Sequence, residues 1–141
     1  MDKGRLPARY LAKLRLRAVL ENVPVATECV AAIARAAGLE DHLLYQIQLA
    51  VDEACANVVE HAYRDVESGD MELVCSMGDG TFTIRVRDWG QGFDPDGVEV
   101  PDVGAPLEER SLGGLGLFLV RQMMDSVQFT FDAERGNELV M

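Results

Sequence analysis

Gly78-Asp79-Gly80 separates two runs of strictly alternating hydrophobicity, and no other stretch leaves the fold of this chain so little freedom. Met71, Leu73, Cys75 and Met77 precede it, and Phe82, Ile84 and Val86 follow it, each two positions from the next. A period of two places such residues on one face of a strand. A short glycine-rich break between two runs of this kind predicts an antiparallel hairpin with that face towards the core.

Other elements assemble around the hairpin. From Lys13 to Leu20 the sequence alternates again, with Leu14, Leu16, Ala18 and Leu20 on one side and Lys13, Arg15 and Arg17 on the other, which predicts a half-buried strand. Its basic side is either a solvated face or a docking and dimer edge. Pro24 suits the first turn of a helix whose Ala26, Val30, Ile33 and Ala37 face inward until Gly38 ends it. A second helix starts near Glu40 and Asp41 and carries Leu44, Ile47, Val51, Ala54 and Val58 as its apolar stripe towards His61 and Tyr63. Residues Trp89 to Leu112 show no periodicity, and a loop of that length inside a compact domain usually has a function, here that of a lid. Gly113-Gly114-Leu115-Gly116 then opens a helix that turns Leu117, Leu119, Val120 and Met124 inward. Val127, Phe129 and Phe131 alternate in a strand, Asp132 to Gly136 turns the chain, and Leu139 and Met141 close against the same face. The expected fold is α+β: one domain over residues 1–141, a two-layer sandwich with helices on one face of a mixed, mostly antiparallel sheet.

Composition narrows the function. Hydrophobic residues make up 48% of the 141, enough for a sizeable core. Thirteen basic against 24 acidic residues give a net charge of −11, which repels phosphate backbones and argues against nucleic acid as a partner. No apolar run is long enough to span a bilayer, and the N-terminus lacks the pattern of a signal peptide, so a cytoplasmic protein is expected. Cys29, Cys55 and Cys75 are odd in number and widely spaced. They suit small buried hydrophobes better than a disulfide framework or a zinc site.

Three clusters carry chemistry. On the second helix, Glu53 and Asn57 form a row along the flank of the apolar stripe, so both can reach a cleft while the helix still packs, and His61 continues the row. As a helix-end residue, His61 suits hydrogen bonding better than ligation. Asp88 follows Phe82, Ile84 and Val86 in phase and points inward at the end of its strand, where a carboxylate needs a donor; the exocyclic amine of an adenine would supply one. Gly90 and Gly92 let the backbone after it turn sharply beside a flat ligand. A calcium loop through Asp88, Asp94 and Asp96 is discounted, because its spacing would want an oxygen ligand at Gly92. Gly113, Gly114, Gly116 and Leu117 sit at a helix start, where free amides and the positive end of the dipole can hold phosphate. Neither a Walker lysine nor a dinucleotide fingerprint accompanies them.

In this order, Glu53 with Asn57, Asp88 with Gly90 and Gly92, a lid, and Gly113 to Leu117 resemble the GHKL ATPase superfamily. The stretches from Ile47 to Asn57, His61 to Tyr63, Asp88 to Pro95, Gly113 to Arg121 and Met124-Asp125 are most similar to the anti-sigma-factor serine kinases of the RsbW and SpoIIAB type. The resemblance implies a Bergerat-type ATP fold with Asn57 holding Mg²⁺, Asp88 binding adenine, the glycines and Leu117 around the nucleotide, and Glu53 as general base. It also implies a sigma factor and a small STAS-type anti-anti-sigma protein as partners, the latter phosphorylated on serine, and a homodimer through the N-terminal strand. The alternative is a non-catalytic regulator that senses ATP. The catalytic half of a histidine kinase would need a phosphorylated helical hairpin, for which the residues before position 11 offer no room.

Overall fold

The computed structural model describes residues 9–63, 69–90, 112–132 and 136–141, with 112–117 as helical backbone. In chain order the elements are β1 (Arg9–Arg17), α1 (Val23–Ala36), α2 (Asp41–Asn57), β2 (Asp70–Gly78), β3 (Thr81–Asp88), α3 (Leu112–Met123), β4 (Gln128–Asp132) and β5 (Gly136–Val140). The hairpin forms as its alternation requires: Leu73 opposes Val86, Cys75 opposes Ile84 and Met77 opposes Phe82. Gly78 pairs with Thr81, so the loop is the two residues Asp79 and Gly80, both with positive φ (51° and 73°). Two positive φ values match the twist of the flanking strands, and Asp-Gly is a preferred pair for such a loop.

The strands lie in the order β1-β2-β3-β5-β4. Every pairing among the described strands is antiparallel, so the sheet is not mixed as expected. The chain crosses from β3 through α3 to β4, which would give a parallel neighbour if β4 lay against β3. The β4–β5 hairpin instead inserts β5 between them.

One contiguous core lies between the helices and one face of the sheet. Ala26, Val30 and Ala34 of α1, Leu44, Ile47, Val51 and Ala54 of α2, and Val120 of α3 pack on Met71, Leu73, Cys75, Ile84, Val86 and Met141. Helix α1 ends at a positive-φ Gly38, where Leu39 N–H bonds Ala34 O (3.1 Å) and Gly38 N–H bonds Arg35 O (3.0 Å), satisfying carbonyls the helix leaves open. The expected strand from Lys13 to Leu20 is corrected at its end. β1 stops at Arg17, Ala18 is buried, and Leu20 enters a short 3₁₀ turn with 62% of its surface exposed. Asn22 makes that turn by donating its side-chain amide to Arg17 O (2.9 Å). At the other end, Met124 packs against the core just beyond α3.

The outer face of the sheet is charged. Glu138 of β5 bonds Arg87 (2.7 Å) and Arg85 (3.0 Å) of β3, while Lys13 meets Glu72 (3.5 Å) and Arg15 meets Asp70 (3.1 Å). Lys13, Arg15 and Arg17 are exposed, as a solvated face requires, and Arg15 also lies 4.8 Å above the ring of Trp89. No helix among the described residues is long and apolar enough to cross a membrane.

Candidate functional site

A cavity opens where the C-terminal end of α2 passes over the last strands. Ala54, Asn57, Val58 and Ala62 line one side, and Val86 and Asp88 of β3, Asn137 and Leu139 of β5, and Phe129 and Phe131 of β4 line the other. Asn57 and Asp88 therefore share one cavity, joined because the α2 stripe buries Ala54 and Val58 over the strand that ends in Asp88.

Asp88 is buried, and its Oδ1 accepts two hydrogen bonds, from Asn137 Nδ2 (2.9 Å) and from Gly90 N–H (3.0 Å). Asn137 stands opposite Asp88 in the β3–β5 register, and its Nδ2 also donates to Gly90 O (3.0 Å). Burial pushes the Asp88 carboxyl above the ordinary carboxylate range, and the bonds from Asn137 and Gly90 pull it back in part. The result is an acceptor fixed in orientation and poorly hydrated, suited to a neutral N–H donor that enters the cavity.

Gly90 is required by close approach. A Cβ there would collide with the carbonyl oxygen of Ala62. This contact exists because α2 does not continue as an α-helix to Tyr63, as its spacing predicts: after Asn57 the residues Val58–Ala62 form a π-helical segment. Such wider turns occur mostly as single insertions and often at functional sites. Beyond it, the Tyr63 hydroxyl donates to Asp70 O (2.6 Å) and accepts from Trp89 N–H (2.9 Å), tying the helix end to the residue after Asp88.

Glu53 lies one helical turn before Asn57, half-buried and outside the cavity lining named above. Burial, and then the charges of Asp52 and Glu60, push its carboxyl upward. His61 is half-buried with Nε2 3.8 Å from Glu60. Gly113, Gly114, Gly116 and Leu117 lie in the first turns of α3, which begins one residue earlier than expected and packs against α2. Gly92 and residues 91–111 of the expected Trp89–Leu112 lid fall outside the described residues, and Leu112 is the first residue of α3. The sequence assigns no site role to Asn137, Phe129 or Phe131, and marks Tyr63 only as part of the His61–Tyr63 stretch. The two phenylalanines have the alternation of core residues, and Asn137 has no local signal at all.

No group of three or more metal-ligating side chains occurs among the described residues. A magnesium ion shared with phosphates needs only one or two protein ligands and keeps several waters, and the Asn57 amide oxygen can supply one.

A carboxylate acceptor fixed by Asn137 and Gly90 thus faces Asn57 across one cavity beneath the end of α2. The chain belongs to the histidine kinase-like ATPase domain family, whose match spans residues 16–141. Similar proteins include the serine-protein kinase RsbW of Halalkalibacterium halodurans, 38% identical over 117 residues, 80% of this chain and 71% of that one. The serine-protein kinase RsbW of Listeria monocytogenes is 32% identical over 123 residues, 84% of this chain and 78% of that one. Among solved structures, the histidine kinase domain from the Erythrobacter litoralis EL346 blue-light activated histidine kinase superposes with a TM-score of 0.51 at 26% identity. It covers 70% of this chain, and this chain spans 42% of its length.

Proposed function

We propose that this chain is an ATP-dependent protein-serine kinase of the anti-sigma-factor type, acting as a single domain in the cytoplasm. The observation that supports it most is the convergence of Asn57 and a donor-fixed Asp88 in one cavity. In this reading the Asp88 carboxylate accepts from the adenine amine. The amides at the start of α3, from Gly113 to Leu117, face the phosphates, and Gly90 and Gly92 let the backbone pass close to the base. Mg²⁺, when bound, neutralises phosphate charge, and the Asn57 side chain would hold it. Glu53 takes the proton from an incoming serine hydroxyl, the oxygen bonds to the γ-phosphorus, and the bond to the β-phosphate oxygen breaks to release ADP. Phosphoryl transfer is mostly positioning and charge neutralisation. Burial makes Glu53 a stronger base than a solvated carboxylate, which suits the task. The protein substrate is a small STAS-type anti-anti-sigma protein, and a sigma factor is the partner held in check; the likeness to the RsbW kinases supports both. Homodimerisation through β1 fits its place at the edge of the sheet.

Labelled-phosphate transfer to the antagonist protein tests this. Wild type should label it, a partner with alanine for its acceptor serine should stay unlabelled, and Glu53→Gln should bind ATP while transferring about 10²–10⁴-fold more slowly. Binding of ATP and partner without transfer would make the chain a nucleotide-sensing regulator instead.

A further inference from the structure

β4 carries one row of alternating apolar side chains, continued by Val127 just before it, and the row changes character along its length. Val127 packs against the core, Phe129 is half-buried, and Phe131 leaves 41% of its surface exposed. The row leaves the core and enters the cavity, where both phenylalanines form part of the lining together with Asp88. Phe131 stands directly opposite Asn137, the residue that holds Asp88. The two rings lie within 11° of parallel, with centroids 6.3 Å apart. Parallel rings share one normal, so a flat molecule lying against either is aligned with both.

We propose that Phe129 and Phe131 form an aromatic wall that stacks on the purine ring of the nucleotide whose amine Asp88 reads. This rests on the nucleotide reading above and deepens it by assigning base affinity to a strand that no motif marks. The chemistry is complementary. A carboxylate fixed at the end of β3 addresses the edge of a base, while two π-faces two strands away, on β4, address its plane. Aliphatic side chains would exclude water from the same place without the preference for a planar ring. Stacking of a base on an aromatic side chain typically changes affinity by roughly 5- to 150-fold when that side chain is removed.

The test compares binding of ADP with binding of tripolyphosphate, which carries charge and no base, in wild type, Phe129→Leu, Phe131→Leu and Phe131→Tyr. Thermal unfolding confirms that each variant folds. The leucine variants keep apolar bulk, so about a tenfold loss of ADP affinity with unchanged tripolyphosphate binding would support the wall, as would retention of ADP affinity in Phe131→Tyr. Leucine variants that bind ADP as tightly as wild type would overturn it and leave the nucleotide site standing. Equal losses for ADP and tripolyphosphate would also overturn it, because the rings would then be shaping the cavity and not reading a base. A folded wild type that binds no ADP would remove the nucleotide reading itself.

Discussion

Asn137 directs its side-chain amide to both Asp88 and Gly90, so a single residue fixes the carboxylate and the turn that follows it. Asn137→Ala should destabilise the protein by about 1.5–3 kcal/mol, the usual worth of a hydrogen bond to a charged group, and weaken ADP binding in the same calorimetric series. Urea unfolding with unchanged stability would mean that water replaces the amide without cost. The thiols offer a second check. Burial pushes Cys55 up to about 12 and Cys75 up to about 11, so neither presents a thiolate near neutral pH, while Cys29 is half-buried. A disulfide reagent should therefore titrate one thiol in the native protein and three in denaturant. Asn57 and Asp88 were legible because each continues a period, helical in one case and alternating in the other. Asn137 was not, since it meets Asp88 across 49 positions of sequence and follows a glycine with no pattern around it.

Between α2 and β3 the decisive element is the π-helical segment that starts immediately after Asn57. It brings the Ala62 carbonyl against Gly90 and delivers the Tyr63 hydroxyl between Asp70 and Trp89. Gly90→Ala forces backbone apart at that contact and should cost about 1–3 kcal/mol, the range of overpacking, together with nucleotide affinity. Tyr63→Phe leaves a carbonyl and an N–H without their partner and should cost about 1–3 kcal/mol in urea unfolding. It should also alter the fluorescence of Trp89, the sole tryptophan. The stripes of α1 and α2 and the hairpin of β2 and β3 could be read from periodicity, because each repeats over many residues. Five residues of changed helical pitch repeat too few times to register, and the end of β1 depended on an Asn22 bond that alternation does not encode. The mostly antiparallel character of the sheet was legible, but the strand order was not, because order is decided by which strands meet and not by any one strand's pattern.

Across the whole molecule, Asp88 and Glu53 both hold carboxyls raised by burial, so the native state binds their protons more tightly than the unfolded chain does. The stability they contribute is fully present below the unfolded values, near 4, and is lost as pH rises through the folded ones. The effect is larger for the buried Asp88 than for the half-exposed Glu53, whose charge solvent screens. Asp88→Asn should therefore be more stable than wild type at pH 7 without nucleotide, and its urea midpoint should vary less between pH 4 and 7. Identical profiles would show that the burial of Asp88 is not felt in the folding equilibrium. A site that costs stability when empty and recovers it when filled couples folding to nucleotide supply, so ADP should raise the wild-type melting temperature.

Glu138 borders the cavity, yet its carboxylate grips Arg85 and Arg87 on the other side of the sheet. Strand β5 pairs with β3 over only Arg85 to Asp88, with one further pair of bonds between Ile84 and Met141. A slip of one position would turn Asn137 outward and leave Asp88 without its amide. The carboxylate fork acts as a detent: by resisting that slip on the wet face, it decides which side chain the dry face presents.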